Sequence, residues 1–264
     1  MLRSFSWFVI PVLVGISFMS QAQDDVCAID NVALKIGEEI TYKVYYQWFA
    51  IWINAGEVTF SVESANIFNK SCYHFKGVGR TYKAYDWFYK VRDTYESFVE
   101  INSFQPVKFL RDVYEGGYVI KDNITFDHET HKATSAKKTI DIPLCFQDVL
   151  SSIYYARNLD FSSMNINDTV PMQVYIDDEM FPIYIRYMGK EKIKTKLGTF
   201  RCIKFKPLLV EGTMFTGGEK MMVYVTDDDN RIPVRVESPI IVGSIIADLI
   251  SFKNLKNKMT TKVE

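Results

Sequence analysis

The histidines of this sequence are the side chains best suited to holding a metal ion: His74, His128 and His131. The stretch from His128 to His131 approaches the zinc-protease motif, but that motif needs its two histidines four residues apart on one helix face. Here they are three residues apart in a polar stretch, which favours a surface loop. The acidic run from Asp227 to Asn230 lacks the glycine and the distant glutamate of a calcium loop, and it favours a turn. We therefore expect no metal site.

Catalytic nucleophiles and dinucleotide motifs are equally weak in this sequence. It contains no Gly-x-Ser-x-Gly segment of the kind that places a nucleophilic serine on a sharp turn. The carboxylates Asp86, Asp93 and Glu96 are close in sequence, and strand ends in solvent account for them. Gly77-Val78-Gly79 lacks the third glycine and the following helix of a dinucleotide site. We expect a protein that is not an enzyme and has no cofactor.

Aromatic side chains form two dense clusters, and these are the candidate binding residues. One cluster surrounds Trp48 and leads into a predicted turn, and the other follows at Tyr85–Tyr89. They could form the lip or wall of an apolar ligand site, or a loop that touches a membrane; alternatively they could be a core plug that closes one end of a barrel. The predicted ligand-binding residues are Tyr46, Trp48, Trp52, Trp87 and Phe88.

The segments that would position these aromatic residues alternate in polarity with a period of two. From Glu39 to Trp48 every second residue is apolar, which predicts a strand with one dry face. Similar runs recur along the chain, separated by turn residues such as Asn54–Gly56 and Glu115–Gly117. The connections are too short for the crossovers that parallel strands need, so the pattern predicts antiparallel pairing.

One segment, 145–158, has apolar residues at helical spacing and predicts the main helix. It divides the strand pattern into two halves, 37–142 and 168–252, with no linker between them. The sequence therefore predicts a mainly β fold in a single domain over 23–264: a curved antiparallel sheet, half-barrel or barrel of about ten or more strands with the helix packed on it.

Composition and the amino terminus bear on the cellular compartment. The formal net charge is -1 and the basic residues are dispersed, which argues against a nucleic-acid partner. Residues 1–22 combine Arg3, an apolar run and Ser20-Gln21-Ala22, and so predict a cleaved signal peptide. The mature chain would be exported and soluble in the periplasm or outside the cell, without a transmembrane segment.

The mature chain contains four cysteines, Cys27, Cys72, Cys145 and Cys202, which are candidates for disulfides in any of three pairings.

Several segments in order resemble the exported bacterial family called domain of unknown function 3108 (DUF3108). The resemblance covers about 37–250, and it is carried by Gly37–Tyr42, Asn54–Val58, Gln147–Arg157, Leu197–Phe200 and Arg231–Val234, together with Tyr95–Ser97 and Thr226–Asp228. It implies a bacterial envelope protein without an established activity. The strand pattern is also similar to that of periplasmic lipoprotein carriers, an analogy of architecture alone.

These observations lead to one functional expectation and one alternative. A dry face repeated on many strands of a closing sheet must enclose either a filled core or a pocket, since small barrels can do both. The expected function is non-enzymatic binding of an apolar or lipid-like ligand, such as a lipid or a lipidated envelope component, in the concave face. The alternative is an envelope structural or interaction protein with a solid core and no ligand.

Overall fold

Fifteen strands and one helix make up the computed structural model, which describes residues 27–210, 217–240 and 242–263. The predicted signal peptide, 1–22, lies outside the described residues. The strands are β1 Glu39–Trp48, β2 Ile51–Ile67, β3 Lys70–Thr81, β4 Val91–Glu100, β5 Pro106–Glu115, β6 Tyr118–Asp127, β7 Lys132–Thr134, β8 Thr139–Asp141, β9 Gln147–Asp148, β10 Thr169–Ile176, β11 Glu179–Thr195, β12 Gly198–Pro207, β13 Met222–Thr226, β14 Pro233–Pro239 and β15 Ser244–Lys253; the helix α1 is Val149–Arg157.

All fifteen strands belong to one sheet, which curves without closing. Its order is β8-β7-β6-β5-β4-β3-β2-β1-β15-β14-β13-β12-β11-β10-β9, so the first and last strands of the long meander, β1 and β15, pair in the middle. Every pairing is antiparallel except β9 with β10. The β10–β11 hairpin folds against the concave face of β5 and β6, where Asp177 pairs with Arg111 and the Tyr175 ring lies 5.2 Å from that of Phe126. The predicted mainly β, curved antiparallel fold is confirmed.

Turn residues predicted the β5–β6 hairpin correctly at Glu115–Gly117 but misplaced the β1–β2 hairpin. Asn54–Gly56 was expected to be a turn, but β2 runs through it and the register shifts there, so an extra residue forms a β-bulge against β1. The β1–β2 turn lies earlier, where Phe49 adopts a positive φ of 49°. Bulges and turns draw on the same small and amide-bearing residues, which explains the error.

Helix α1 is shorter than the predicted segment 145–158 because two residues before it form β9. Asp148 caps the helix: its carboxylate accepts hydrogen bonds from the backbone N–H groups of Leu150 and Ser151, both at 2.8 Å. The Ser151 hydroxyl accepts in turn from the Asp148 N–H at 2.8 Å, which completes a capping box. Burial raises the pKa of Asp148 to about 6.

The cysteines form one disulfide within the described residues. Cys27 is bonded to Cys145, with their Cα atoms 5.4 Å apart, and this joins the start of the described chain to the segment before β9. Cys72 and Cys202, which were possible disulfide cysteines, are buried free thiols instead, on β3 and β12. Within the described ranges, none of the helices is both long and apolar enough to cross a membrane.

Candidate functional site

The concave face of β1 changes gradually from buried to exposed along its length. Its residues on this face are all apolar or aromatic: Ile40, Tyr42, Val44, Tyr46 and Trp48. Ile40 and Tyr42 are each 3% exposed, the next two are half-buried, and Trp48 is 46% exposed. The apolar face of β1 therefore extends beyond the part of the interior that other residues bury.

Neighbouring strands continue this uncovered surface on both sides of β1. Val44 pairs with Gly56 on β2 and with Ala247 on β15, and Ala247 pairs with Val236 on β14. Because paired residues share a face of a sheet, these residues form a row across four strands, in which Gly56 contributes no side chain. The half-buried residues of this row and its neighbours are called here the upper concave surface: Val44, Tyr46, Ile53, Val58, Val236, Ile245 and Ala247.

Helix α1 covers the lower concave face of β3 and β4 and stops below this surface. The Tyr154 ring stacks on Phe75 with centroids 3.8 Å apart, and Leu150 lies beneath Gly77 of β3. From there the helix runs away from the upper concave surface. Two residues further up β3, a Cβ atom built at Gly79 would have only the Asp93 Cβ within 4 Å, at 3.9 Å. The interior is thus filled at one end and open above the start of the helix.

The opposite end of α1 is held by a buried ion pair that the sequence did not indicate. The Arg157 guanidinium donates to both carboxylate oxygens of Glu38, at 2.6 and 2.9 Å, and to the backbone carbonyls of Asn230 and Ala33. Burial lowers the pKa of Arg157, but the hydrogen bonds and charge of Glu38 outweigh it and raise the pKa overall. Arg157 therefore stays charged and fixes the helix against the closed end.

Exposed aromatic and aliphatic side chains surround the open end of the sheet. Strand register places the β1–β2 turn, the segment 82–90, the β5–β6 turn and the β14–β15 connection all at this end. Their large exposed apolar and aromatic residues are called here the rim: Trp48, Phe49, Ile51, Trp52, Trp87, Phe88, Tyr89, Tyr118, Val119 and Val242. Phe49 is 85% exposed and Trp87 is 83% exposed, so the core-plug interpretation of the two aromatic clusters is wrong.

The five predicted ligand-binding residues lie at this end but on three different surfaces. Tyr46 and Trp48 are on the concave face, and the Tyr46 hydroxyl donates to the Val242 carbonyl at 3.1 Å. Trp52 is on the convex face, where its ring meets that of Tyr45. Trp87 and Phe88 lie together in segment 82–90, with ring centroids 5.9 Å apart. Sequence spacing predicted the clusters but not these orientations, and ligand binding by these residues stays a prediction.

A pair of carboxyl groups, Asp93 and Glu115, lies beside the upper concave surface on β4 and β5. Burial, followed by the negative charge of Glu115, raises the pKa of Asp93 to about 7. Asp93 and Glu96, which are close in sequence, lie on opposite faces of β4, and Glu96 instead binds His74 at 2.7 Å. Asp86 pairs with Arg92. In the described part of the chain, His, Cys, Asp and Glu side chains form no group able to hold a metal ion.

Two cavities elsewhere in the described residues do not match the predicted apolar site. A groove of about 710 Å³ at the closed end is lined largely by polar residues, including Asp30, Asn158 and Arg231. A void of about 10 Å³ lies between Arg111 and Asp177, where the β10–β11 hairpin meets β5 and β6. Neither reaches the rim.

The geometry defines a β-barrel-like protein with one filled end and one open end. The crystal structure of a β-barrel-like protein of domain of unknown function DUF1849 from Brucella abortus matches with a TM-score of 0.52 at 9% identity, covering 85% of this chain and 100% of that one. This likeness concerns the fold alone. A candidate lipoprotein from Parabacteroides distasonis (14% identity, TM-score 0.36, 86% of this chain and 99% of that one) and a candidate exported protein with YMCC-like fold from Bacteroides fragilis (12%, 0.32, 86% and 100%) match with lower scores.

The chain belongs to the family of proteins of unknown function DUF3108, whose model matches residues 41–250. This confirms the resemblance found from its segments. No curated protein matches the sequence.

Proposed function

We propose that this chain is an exported, single-domain, non-enzymatic protein that binds an apolar or lipid-like ligand on the upper concave surface. The observation that carries the proposal is the apolar face of β1, which stays apolar from the buried Ile40 to the exposed Trp48. A side chain that faces water has no physical need to be apolar, whereas a bound hydrocarbon chain would gain from every apolar neighbour it covers.

The shape of the interior also supports a ligand of limited length. Helix α1 blocks the lower concave face, so a hydrocarbon chain could enter from the rim and would stop above Leu150 and Gly77. The surface available to it consists of aliphatic residues and Tyr46, whose hydroxyl already donates to the Val242 carbonyl, rather than the free polar groups that would orient a sugar or a nucleotide. Apolar contact would therefore supply most of the affinity.

Export is supported by two independent features. The segment 1–22 has the composition of a signal peptide, and the Cys27–Cys145 disulfide is of a kind that persists in oxidising compartments.

The test fills the proposed site without disturbing the rim. Gly79 is not among the glycines with positive φ, and a Cβ atom built on it makes only an ordinary contact with the Asp93 Cβ, so we expect Gly79→Leu to project a branched side chain over the upper concave surface. Val78→Leu is the matched control, because this neighbouring residue points to the convex face and is exposed. We expect Gly79→Leu to weaken binding of a fluorescent fatty acid about tenfold or more, a loss of roughly 1.4 kcal/mol, and Val78→Leu to leave it unchanged.

Two results would remove the proposal in favour of the solid-core structural protein. One is purified protein that carries no lipid by mass spectrometry and fails to bind the fluorescent fatty acid. The other is equal binding by Gly79→Leu and Val78→Leu, because the ligand would then lie elsewhere.

A further inference from the structure

We infer that the rim docks on the surface of a lipid bilayer. All three tryptophans of the described residues, Trp48, Trp52 and Trp87, lie at this one end of the sheet and are 46%, 56% and 83% exposed. Tryptophan is enriched at membrane interfaces because its ring is largely apolar but carries one polar N–H group. Such a concentration of exposed indoles at a single end has no role in holding the core together.

Charge is absent from the two rim segments that centre on the β1–β15 pair. The stretches 44–56 and 238–247 contain no Asp, Glu, Lys or Arg. Entry of these two segments into the headgroup region would therefore strip no ion of its water, which is the largest penalty for inserting protein surface into lipid. Segment 82–90 does carry charges: Asp86 is paired with Arg92, and Lys83 and Lys90 flank Trp87, where they could meet lipid phosphates.

The exposed apolar side chains lie on separate connections, an arrangement that favours a lipid bilayer over a protein partner. Phe49, Trp87 and Val242 are carried on three separate connections, and each is strongly exposed. Protein interfaces gain their energy from anchors that fill fitted pockets, so they need one complementary shape. A bilayer deforms around each protruding side chain independently, and it requires only that the tips lie at the same end of the molecule.

Docking would give the opening of the upper concave surface direct access to hydrocarbon. That role rests on the proposed function, whereas docking itself does not and can be measured without a ligand.

The tryptophans serve as the reporter of docking. In the exported chain, from residue 23 on, every tryptophan belongs to the rim. Intrinsic tryptophan fluorescence therefore reports the environment of the rim and of no other region.

The experiment mixes the exported chain with vesicles of phosphatidylethanolamine and phosphatidylglycerol. We expect a blue shift of tryptophan emission and quenching by lipids brominated near the headgroup. Phe49→Asn should weaken vesicle binding about tenfold or more, because burial of one phenylalanine contributes roughly that factor. Phe68→Asn is the control: Phe68 is also an exposed hairpin residue with positive φ, 52° against 49°, but it lies at the opposite end. Asparagine tolerates that backbone conformation at both positions.

The possible outcomes separate docking from ligand binding. Loss of vesicle binding in Phe49→Asn with fatty-acid binding intact supports docking, and Phe88→Ser provides a second rim variant should Phe49→Asn fold poorly. Docking is overturned if emission does not shift on vesicles, if both Asn variants bind vesicles equally, or if the shift depends on protein concentration alone, which would mean that a second copy covers the rim. Vesicle binding in a protein that ignores fatty acid would leave docking standing and remove the proposed ligand site.

Discussion

The buried ion pair between Arg157 and Glu38 should dominate the stability of the closed end, and Arg157→Met tests this directly. Arg157 is 4% exposed and Glu38 is 1% exposed. The substitution keeps an apolar stem of similar length but leaves the Glu38 carboxylate buried without its partner. It also removes the donors to the carbonyls of Asn230 and Ala33.

The expected loss of stability in Arg157→Met follows from the buried Glu38 carboxylate that is left without a partner. Breaking a buried ion pair by removal of one partner destabilises a protein by about 3–5 kcal/mol. For a chain of this size each kcal/mol lowers Tm by about 2–4 °C, so Arg157→Met should lower Tm by roughly 10 °C. The double variant Arg157→Met/Glu38→Leu should recover much of this loss, because no unpaired charge then remains in the core.

Urea unfolding followed by far-ultraviolet circular dichroism measures this free energy without relying on the rim tryptophans. Arg201→Met is the control, because Arg201 is exposed and should change stability by no more than about 0.5 kcal/mol. Additive losses in the double variant would refute the reasoning, since two interacting residues must show a coupling energy in a double-mutant cycle.

Two further predictions concern pH and the disulfide. The pKa of Asp93 is about 7 in the fold against an ordinary value of 3.8, so the folded state holds the extra proton and wild-type stability should fall as pH rises from about 4 to 7. Asp93→Asn should therefore raise Tm at pH 8 but hardly at pH 4, whereas the exposed Asp112→Asn should raise it at neither; equal Tm gains for Asp93→Asn at both pH values would contradict this. Replacing Cys27 and Cys145 together by Ser should lower the free energy of unfolding by about 4–5 kcal/mol, because the bond closes a loop with a sequence separation of 118; a double variant that unfolds at the wild-type urea concentration would show that the loop contributes little.

The sequence predicted the parts of the fold that depend on local pattern. Alternation gave the bounds of β1, Glu39–Trp48, as the structure has them, because its inward residues are apolar without interruption. It failed at the β1–β2 turn, where the chain reverses at Phe49 and Ala50, neither of which is a turn former. Composition does not predict a turn that is formed by an aromatic residue at positive φ. Such a strained residue is expected where its side chain has a function, and Phe49 belongs to the exposed rim.

Long-range features were beyond reach for a different reason. Nothing in the local pattern connects Glu38 with Arg157, or selects Cys27–Cys145 from the possible pairings, because each contact joins segments more than a hundred residues apart. The exposure of Trp87 was undecidable for the same reason. Whether an aromatic cluster lies in a core depends on what packs against it, and the local pattern does not encode that.

The extent of the concave face that α1 covers distinguishes a ligand carrier from a structural protein with a solid core. A solid interior needs apolar concave residues only as far as the helix covers them, up to Leu150 against Gly77. Above that level polar side chains would serve equally well on Val44, Ile53 and Ile245, which pack against no buried core cluster, and would make the open end less prone to aggregate. The chain instead keeps these positions apolar on three adjacent strands, from the covered core to the rim. A half-exposed apolar surface of this extent is what we expect of a protein that binds an apolar ligand there and releases it again.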